Sequence, residues 1–467
     1  MKLYELSAAA LVAGYRSRAL SPLEVMRAVI ARAEAFEPHI HATYLFAPER
    51  ALAEAEASTA RWARGEPAGP LDGVPVTIKD NVATRGDPKP LGTAASDATP
   101  EADDAPPAAR LREAGAILFA KTTMPDYGML SSGLSSFHAL ARNPWDLSKN
   151  PGGSSAGAGA AGAAGYGPLH LGTDIGGSIR LPAGWCGLVG LKPSAGRVPI
   201  DPPYIGRVAG PMTRSVEDAA LMMATLSKPD ARDYTSLPPE PLDWRISPAH
   251  VRGLRIGLAT VIGCGAGPEL EVREAVERAG HDFTAAGAVV EPIGPPFTQA
   301  MLAGLDLFWR TRSLIDIEAL APAKRGLVLP FIRAWAESAR GASGEAVFSG
   351  FSRIQEFAER AAAAMRGHDF LLTPTAPMTA FPAELASPSN DPLHPFPHIG
   401  FTVGFNMSGQ PAASIPCGFD RAGLPIGLQI VGRRFDDLGV LALARAYEQI
   451  RSAPMRPWPE PPAAAQA

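Results

Sequence analysis

The sequence predicts an α/β fold in which a mixed β-sheet is covered by helices on both faces. Two strand-like segments, residues 74–78 (VPVTI) and 116–120 (AILFA), flank a helical stretch at 108–114. Strands that alternate with helices are typical of proteins in which helices pack on a parallel or mixed sheet. Further strand patterns, again separated by helical sequence, occur at residues 254–258, 289–291, 370–372 and 427–431.

Helices are predicted over the first 65 residues. Ser21 can cap a helix that carries proline at its first position, and apolar residues from Val25 to Phe36 then recur at helical spacing. A second helix at residues 51–63 is ended by Gly65. Mainly helical sequence also follows the strand at 289–291 and continues to about residue 366.

We expect one domain spanning residues 1–467, with a core formed by about 66–230 and 370–455. A smaller αβ and helical lobe is expected at about 250–370, after a Pro-rich surface crossing. The tail from Pro457 is rich in proline and alanine, and we expect it to be frayed.

Composition excludes several classes of protein. The chain has 467 residues, 46% of them hydrophobic and 19% charged, which is an ordinary globular balance with enough length for a large core. The formal net charge is −4 and no run of Lys or Arg occurs, so we expect neither a nucleic-acid nor a membrane partner.

Only three cysteines occur, and the nine histidines are scattered. A disulfide framework and a metal site are therefore not expected, and no cofactor is implied. The N-terminal segment suits a helix better than a signal peptide, and no stretch is apolar enough to span a membrane. We expect a cytoplasmic protein.

Three segments combine glycine with reactive side chains. They are residues 73–80 (GVPVTIKD), 151–157 (PGGSSAG) and 172–180 (GTDIGGSIR). A lysine at a strand end is usually a solvated charge, and Gly-Gly-Ser is usually a turn. The small-residue run 151–167 has the composition of a linker. Apolar segments follow this run directly. A helix that begins at about Ser155 and packs closely on the sheet therefore explains the composition better than a linker does.

Two motif matches in this run point to other classes of enzyme. Residues 153–157 (GSSAG) match the nucleophile elbow of α/β-hydrolases, which predicts an esterase with Ser155 as nucleophile. Residues 157–162 (GAGAAG) match a dinucleotide-binding fingerprint. Both motifs need an apolar strand directly before them, and here residues 150–152 (NPG) precede the elbow.

Taken together, the three segments resemble the amidase signature family, and the resemblance spans essentially the whole chain. It implies the amidase-signature fold and hydrolysis of a carboxylic amide to a carboxylate and ammonia or an amine. Two departures occur, Ala156 in the usual GGSSGG block and the loop 86–90 (GDPKP), which is expected to border the pocket. Further landmarks in the family's order lie at 121–125, 142–145, 181–183, 186–187, 190–193, 210–214, 233–237, 405–411 and 423–427.

The resemblance assigns Ser178 as the nucleophile and Ser154 as a bridging serine that passes protons to Lys79. It also implies a cis peptide bond before Ser154. These residue types suit the chemistry, because a serine hydroxyl needs a base to take its proton. A lysine amine, with a pKa of about 10.4 in water, can serve as that base when burial disfavours its charged form.

The resemblance also implies an oxyanion hole made of backbone amides. Glycines suit such a loop because side chains would block the approach of the substrate. Residues assigned to the oxyanion hole and substrate binding are Ile175, Gly176, Gly177, Ser178, Gly128 and Ser154. Asp174 and Arg180 are expected to brace the loop by charge-assisted hydrogen bonds, and Ser155 to support the same network.

The substrate is expected to be a small-molecule amide. The predicted pocket wall draws on residues 124–134, 306–309 and Phe401, which are mostly apolar or small and favour an uncharged acyl or aryl group. An alternative within the same family is the glutaminase (A) subunit of a tRNA-dependent amidotransferase. A non-catalytic binding protein is a third hypothesis, which the intact Lys79, Ser154 and Ser178 disfavour. A homodimer is compatible with the resemblance.

Overall fold

A mixed β-sheet of eleven strands runs through the computed structural model, which describes residues 2–462, and it confirms the predicted fold class. The strands are β1 (Thr43–Phe46), β2 (Pro75–Lys79), β3 (Ile117–Thr122), β4 (Leu169–Asp174), β5 (Val189–Lys192), β6 (Val208–Thr213), β7 (Arg255–Leu258), β8 (Val289–Pro292), β9 (Phe370–Pro374), β10 (Ala412–Phe419) and β11 (Pro425–Val431).

The spatial order of the strands is β1-β3-β2-β4-β6-β5-β10-β11-β9-β7-β8. Strand β2 pairs in parallel with both β3 and β4, and β7 pairs in parallel with β8 and β9. The other neighbours are antiparallel. The parallel trio brings the carboxyl ends of β2, β3 and β4 to one edge of the sheet, where Lys79 and Asp174 stand.

Helices flank this sheet. They are α1 (Ala8–Ser17), α2 (Pro22–Ile40), α3 (Pro48–Arg64), α4 (Pro106–Glu113), α5 (Ala156–Ala164), α6 (Arg180–Cys186), α7 (Val216–Leu226), α8 (Leu270–Ala285), α9 (Gln299–Ala319), α10 (Pro322–Arg325), α11 (Pro330–Glu337), α12 (Gly344–Ala364), α13 (Gly400–Met407) and α14 (Asp437–Ile450). No helix among residues 2–462 is long and apolar enough to cross a membrane.

The N-terminal region contains one element that the sequence did not predict. Ser21 caps α2 as expected and completes a capping box with Glu24. The four residues of β1, however, form an edge strand on β3 between α2 and α3, where only helices were expected. The segment is too short for a period-2 pattern, and all four of its side chains are only half-buried.

The small-residue segment forms helix α5, as predicted, and all of its residues are buried. Close packing explains the composition, because a Cβ added at Gly157 would lie 2.0 Å from the carbonyl oxygen of Ala42. At Gly162 an added Cβ would lie 2.6 Å from the Leu188 side chain. Glycine therefore lets α5 approach its neighbours more closely than larger residues could.

The segment predicted as a separate lobe contributes to the same sheet. Strand β7 pairs with β9, strand β8 pairs with β7 at the edge of the sheet, and helix α8 connects β7 to β8. Helices α9, α11, α12 and α13 pack together beyond that edge around a second apolar core. The division of the chain into one domain with a core and a lobe stays a prediction.

The C-terminal segment contacts the rest of the protein as far as Glu460, where a frayed tail was predicted. Trp458 lies against Trp145, and the Arg214 guanidinium sits 4.4 Å from the centre of the Trp458 ring. Glu460 pairs with the buried Arg32. The rest of the predicted tail, residues 463–467, lies outside the described residues.

Candidate active site

Lys79 occupies the last position of β2 and is fully buried. The pairing of β2 with both β3 and β4 surrounds the strand, so the lysine side chain points into protein rather than solvent. Its Nζ lies 2.8 Å from Ser154 Oγ, 3.0 Å from Ser155 Oγ and 3.0 Å from Thr173 Oγ1. The amine is therefore held by hydroxyl groups instead of a carboxylate.

Burial lowers the pKa of Lys79 to about 7, against the opposing attraction of Asp174 and Asp80. A substantial fraction of the amine is then neutral near neutral pH. The Ser155 hydroxyl donates to the carbonyl oxygen of Thr173, so it accepts from Lys79. With Ser155 and Thr173 Oγ1 accepting its two N–H groups, the neutral amine has its lone pair free for the proton of Ser154.

The loop before α5 presents two consecutive serines in different ways. The peptide bond between Gly153 and Ser154 is cis, as the resemblance implies. Ser154 lines a cavity that Ser178 also lines. Ser155 is fully buried, and its Oγ also accepts from the amide of Thr173 at 3.2 Å. Ser155 therefore ties the lysine to β4.

Ser178 stands in the loop between β4 and α6, at the wall of the same cavity as Ser154 and Gly128. Within residues 2–462 its hydroxyl has no hydrogen-bond partner, and in particular none is formed with Ser154. The structure thus brings Lys79 and Ser154 into contact and places Ser178 beside them. Contacts of this kind often close only when substrate is bound.

Asp174 organises the loop that carries Ser178. Its carboxylate accepts from the amides of Gly177 at 2.8 Å and Ile179 at 3.0 Å, and from Arg180 Nε at 3.0 Å. Burial opposes the charge, but the Arg180 guanidinium and Asn406 hold the pKa of Asp174 well below its usual range. Asp174 and Arg180 are both buried, and these contacts fit the expected bracing role.

The contact with Asp174 changes the predicted oxyanion hole. Because an amide has one hydrogen, the Gly177 N–H that points at Asp174 is not directed at an oxyanion. Within the described part of the chain, the amides of Ile175, Gly176 and Ser178 have no protein acceptor. Gly177 is needed for conformation, since its φ is +129° and an added Cβ would lie 2.6 Å from Thr402 Oγ1.

The cavity around Ser178 has two parts. A wide part of about 390 Å³ contains Ser154, Ser178 and Thr173, and a narrow part of about 40 Å³ contains Gly176 and Ser178. The predicted wall is partly right: 128–131 and Trp309 line the narrow part, whereas 306–308 and the fully buried Phe401 line neither. As expected, the loop at 86–90 borders the pocket, through Lys89.

Sequence reasoning missed several lining residues. No local pattern singles out Arg312, which lies in the middle of helix α9, or Phe396 and Ile399, which lie just before α13. Tyr204 and Arg207 lie between β5 and β6, in a segment that carries none of the family landmarks. The missed residues are Asn81, Leu91, Thr173, Pro202, Tyr204, Arg207, Arg312, Asp316, Phe396 and Ile399.

Other candidate groups near the site are structural. Cys186 is fully buried, and burial raises the pKa of its thiol, so it behaves as a small apolar side chain. No cluster of three or more His, Cys, Asp or Glu side chains that could hold a metal occurs in the described part of the chain. Ser155, the predicted nucleophile of the alternative elbow, follows no strand and lines neither part of the cavity.

Comparison with curated proteins finds relatives along the full chain. The chain is 36% identical to the A subunit of the glutamyl-tRNA(Gln) amidotransferase of Moorella thermoacetica (strain ATCC 39073 / JCM 9320), covering 96% of this chain and 97% of that protein. It is likewise 36% identical to the protein of the same name from Myxococcus xanthus (strain DK1622), with 97% and 100% covered.

Solved structures with the same fold include a bacterial aryl acylamidase of the amidase signature enzymes, with a TM-score of 0.88, 32% identity, and 95% of this chain and 96% of that one covered. Another is the peptide amidase of Stenotrophomonas maltophilia, with a TM-score of 0.83, 28% identity, and 98% and 99% covered. A protein-family model described as Amidase matches residues 24–441. The chain therefore belongs to the amidase signature family of hydrolases, enzymes that act on C–N bonds.

Proposed function

We propose that this protein hydrolyses a carboxamide through an acyl-enzyme on Ser178, with Ser154 and Lys79 as the proton relay. The observation that supports this most directly is the buried Lys79 amine, 2.8 Å from Ser154 Oγ and with a pKa lowered to about 7. The amine can accept a proton near neutral pH, and the hydroxyl beside it opens onto the cavity that contains Ser178.

In the first half-reaction, Ser178 Oγ attacks the carbonyl carbon of the amide and a C–O bond forms. The proton of Ser178 passes to Ser154, whose own proton passes to the neutral amine of Lys79. The negative charge that develops on the carbonyl oxygen is stabilised by the amides of Ile175, Gly176 and Ser178. Each such donor typically contributes about 3 kcal/mol to the transition state.

Collapse of this intermediate breaks the C–N bond. The leaving nitrogen takes a proton from Ser154, which is resupplied by the Lys79 ammonium, and ammonia or an amine departs. Water then attacks the acyl-Ser178 ester and gives its proton to the same relay. The carboxylate is released, and Ser178 recovers its proton.

Two biological roles share this chemistry. The curated relatives favour the glutaminase subunit of a tRNA-dependent amidotransferase, since those named above are the A subunits of such enzymes at 36% identity over nearly the whole chain. That role requires partner subunits, which would receive ammonia. The structural neighbours include an aryl acylamidase and a peptide amidase, and these support an amidase that acts alone.

The lining of the narrow cavity favours the free-standing amidase. Trp309, Phe396, Ile399 and Met129 present apolar surface beside Ser178 and Gly176. A glutamine acyl group would bring both an ammonium and a carboxylate, and Arg312 is the only charged side chain among the described residues that line this part. An ammonium would therefore lack a carboxylate there. A homodimer and a cytoplasmic location stay predictions.

Covalent labelling tests the nucleophile. A fluorophosphonate probe should label the wild type and Ser155→Ala once, as read by intact mass, but should not label Ser178→Ala. In Lys79→Ala, labelling should slow by about a hundredfold or more, as expected when a general base is lost. Labelling that survives in Ser178→Ala and vanishes in Ser155→Ala would instead support the esterase hypothesis.

Substrate assays on the purified chain separate the two roles. We expect release of ammonia or amine from simple aryl and alkyl amides without any added subunit. Glutamine should be turned over far more slowly. Glutamine turnover that exceeds all other amides, together with co-purification of partner subunits from the native source, would establish the amidotransferase role.

A further inference from the structure

The wide part of the cavity is more cationic than the mainly apolar narrow part, whose single charged lining residue among those described, Arg312, lines both parts. Arg207, Arg312 and Lys89 all line the wide part, whereas Asp316 is its one acidic lining residue among those described. Lys89 already pairs with Glu101 at 2.9 Å. The charge that remains to be balanced therefore belongs to the two arginines.

Arg312 has weak partners for a guanidinium that is three-quarters buried. The nearest carboxylate oxygen, of the largely exposed Asp316, lies 3.7 Å from Nε, beyond hydrogen-bonding distance. Nε has no hydrogen-bond partner in the described part of the chain, and Nη2 contacts the sulfur of Met129 at 3.3 Å. The guanidinium stacks over the Tyr204 ring, at 4.8 Å from its centre. Stacking holds its plane in place and leaves donors free.

Arg207 is the second unbalanced charge. No carboxylate of residues 2–462 lies within 4.0 Å of its guanidinium, and the protein oxygen it donates to is the carbonyl of Pro202. Burial, together with the nearby Arg312, lowers the pKa of Arg207, as expected for two like charges that share a cavity. Two arginines held together without a carboxylate between them are suited to an anionic ligand.

The proton relay shows which side of the scissile bond faces these arginines. Ser154 must deliver a proton to the leaving nitrogen, and Ser154 lines the wide part but not the narrow part. Of the three residues whose amides are assigned to the oxyanion, Ile175 and Ser178 line both parts, whereas Gly176 lines only the narrow part. The leaving amine therefore lies on the cationic side, and the acyl group faces Trp309 and Phe396.

On the basis of this geometry, and resting on the proposed function, we propose that the substrate is an amide of an amine that carries a carboxylate, in other words an N-acyl amino acid with an apolar acyl group. Arg312 and Arg207 bind the carboxylate of the leaving amine. Hydrolysis then yields an apolar carboxylic acid and an amino acid, by the acyl transfer described above.

Kinetics on matched amides test this assignment. N-benzoylglycine and N-propylbenzamide share one acyl group and differ in the charge on the amine, and N-propylglutaramic acid moves the carboxylate to the acyl side. We expect kcat/KM to be about tenfold or more higher for N-benzoylglycine than for N-propylbenzamide. Arg312→Gln and Arg207→Gln should each lower kcat/KM for N-benzoylglycine by about tenfold to a hundredfold, the usual range for a charge-assisted hydrogen bond.

The controls show whether such losses are specific. Both variants should lose clearly less kcat/KM on N-propylbenzamide than on N-benzoylglycine, so the ratio of the two values reports the carboxylate subsite, and both should still be labelled by the fluorophosphonate probe. The matched control is Arg310→Gln, on the same helix, because Arg310 faces Asp306 and Ser338 instead of the cavity. It should leave the kinetics for both benzamides unchanged.

Three outcomes would overturn the proposal. Equal kcat/KM for the two benzamides, or equal losses on both in the arginine variants, would remove the carboxylate subsite. A preference for N-propylglutaramic acid would place the anion on the acyl side. In each case the probe still labels Ser178 and amides are still cleaved, so the proposed hydrolase function stands. Absence of both labelling and amide cleavage would instead mean that the proposed function itself fails.

Discussion

At the scale of single residues, the chemistry depends on what burial does to one amine. Lys79 has no carboxylate in contact with it, and hydroxyl groups surround its Nζ. Desolvation therefore dominates over the more distant charges of Asp174 and Asp80. In the proposed mechanism, the burial that disfavours an ammonium supplies the neutral base that activation of Ser178 requires.

This effect predicts the pH dependence of the enzyme. Below a pKa of about 7, Lys79 is an ammonium and cannot accept the proton of Ser154, whereas above it the amine is free. We expect kcat/KM for a neutral amide to fall about tenfold per pH unit below pH 7 and to level off above it. A profile that stays flat from about pH 5.5 to 8.5 would contradict the role of Lys79 as base.

The hydrogen bonds and the ion pair of Asp174 give a second prediction at the scale of single residues. Asp174→Ala removes the acceptor for the Gly177 and Ile179 amides and leaves the buried Arg180 without its ion-pair partner. The free energy of unfolding should fall by about 3–5 kcal/mol, measured by urea denaturation, and probe labelling of Ser178 should slow. Asp243→Ala removes an exposed partner of Arg245 and should leave both measurements unchanged.

At the scale of secondary-structure elements, the small residues of α5 allow the helix to pack closely against its neighbours. The helix lies among β2, β3, β4 and α6, so it supports the strand ends that carry Lys79 and Asp174. Its low side-chain volume brings the Ser154–Ser155 turn close to β4, where Ser155 contacts Thr173. A bulkier helix would move this turn away from the lysine.

Gly157→Ala tests that packing. The new methyl group would meet the backbone of Ala42 at 2.0 Å and of Thr123 at 2.4 Å, and backbone cannot move aside as a side chain can. We expect a loss of about 1–3 kcal/mol in the free energy of unfolding, or more, together with slower labelling of Ser178. At Gly344, the first residue of α12, an added Cβ meets nothing within 4 Å. Gly344→Ala should therefore not destabilise the protein, which makes it the matched control.

At the scale of the whole molecule, the sheet order sets which segments meet. Residues of the N-terminal third, the glycine-rich loops and helix α9 converge on one cavity although they are far apart in the chain. The C-terminal segment contacts a residue that supports α6, the helix that follows the Ser178 loop. Trp458 packs on Trp145, whose indole N–H donates to the carbonyl of Cys186 at the end of α6.

Truncation measures how much the C-terminal segment contributes to the free energy of unfolding. A chain that stops after Arg456 loses the contacts of Trp458 with Arg214 and of Glu460 with Arg32. We expect a decrease of about 1–2 kcal/mol in the free energy of unfolding, seen as a lower urea midpoint. A chain that stops after Pro462 keeps these contacts and serves as control. Equal midpoints for the two truncated chains would show that the docked segment adds no stability.

Much of the fold and site could be predicted from local patterns. Local patterns located six of the eleven strands in residues 2–462, namely β2, β3, β7, β8, β9 and β11, because periodicity and breakers reflect local backbone preferences. Strands β1, β4, β5, β6 and β10 were not predicted, and the pairing of the short edge strand β1 with β3 is a long-range contact that no local pattern reveals. Lys79, Ser154 and Ser178 are predicted from the glycine-rich segments and the family resemblance they carry, but Arg312 and Ile399 lie in segments without any such signal.

Sequence information alone was sufficient for the family resemblance, the α/β class and the spacing of the reactive residue types. Tertiary structure alone decided the pKa of Lys79, the use of the Gly177 amide by Asp174, and the meeting of Arg207 with Arg312. The physical reason is the same in each case. Desolvation, hydrogen-bond direction and charge proximity are sums over neighbours in space, and those neighbours come from distant parts of the chain.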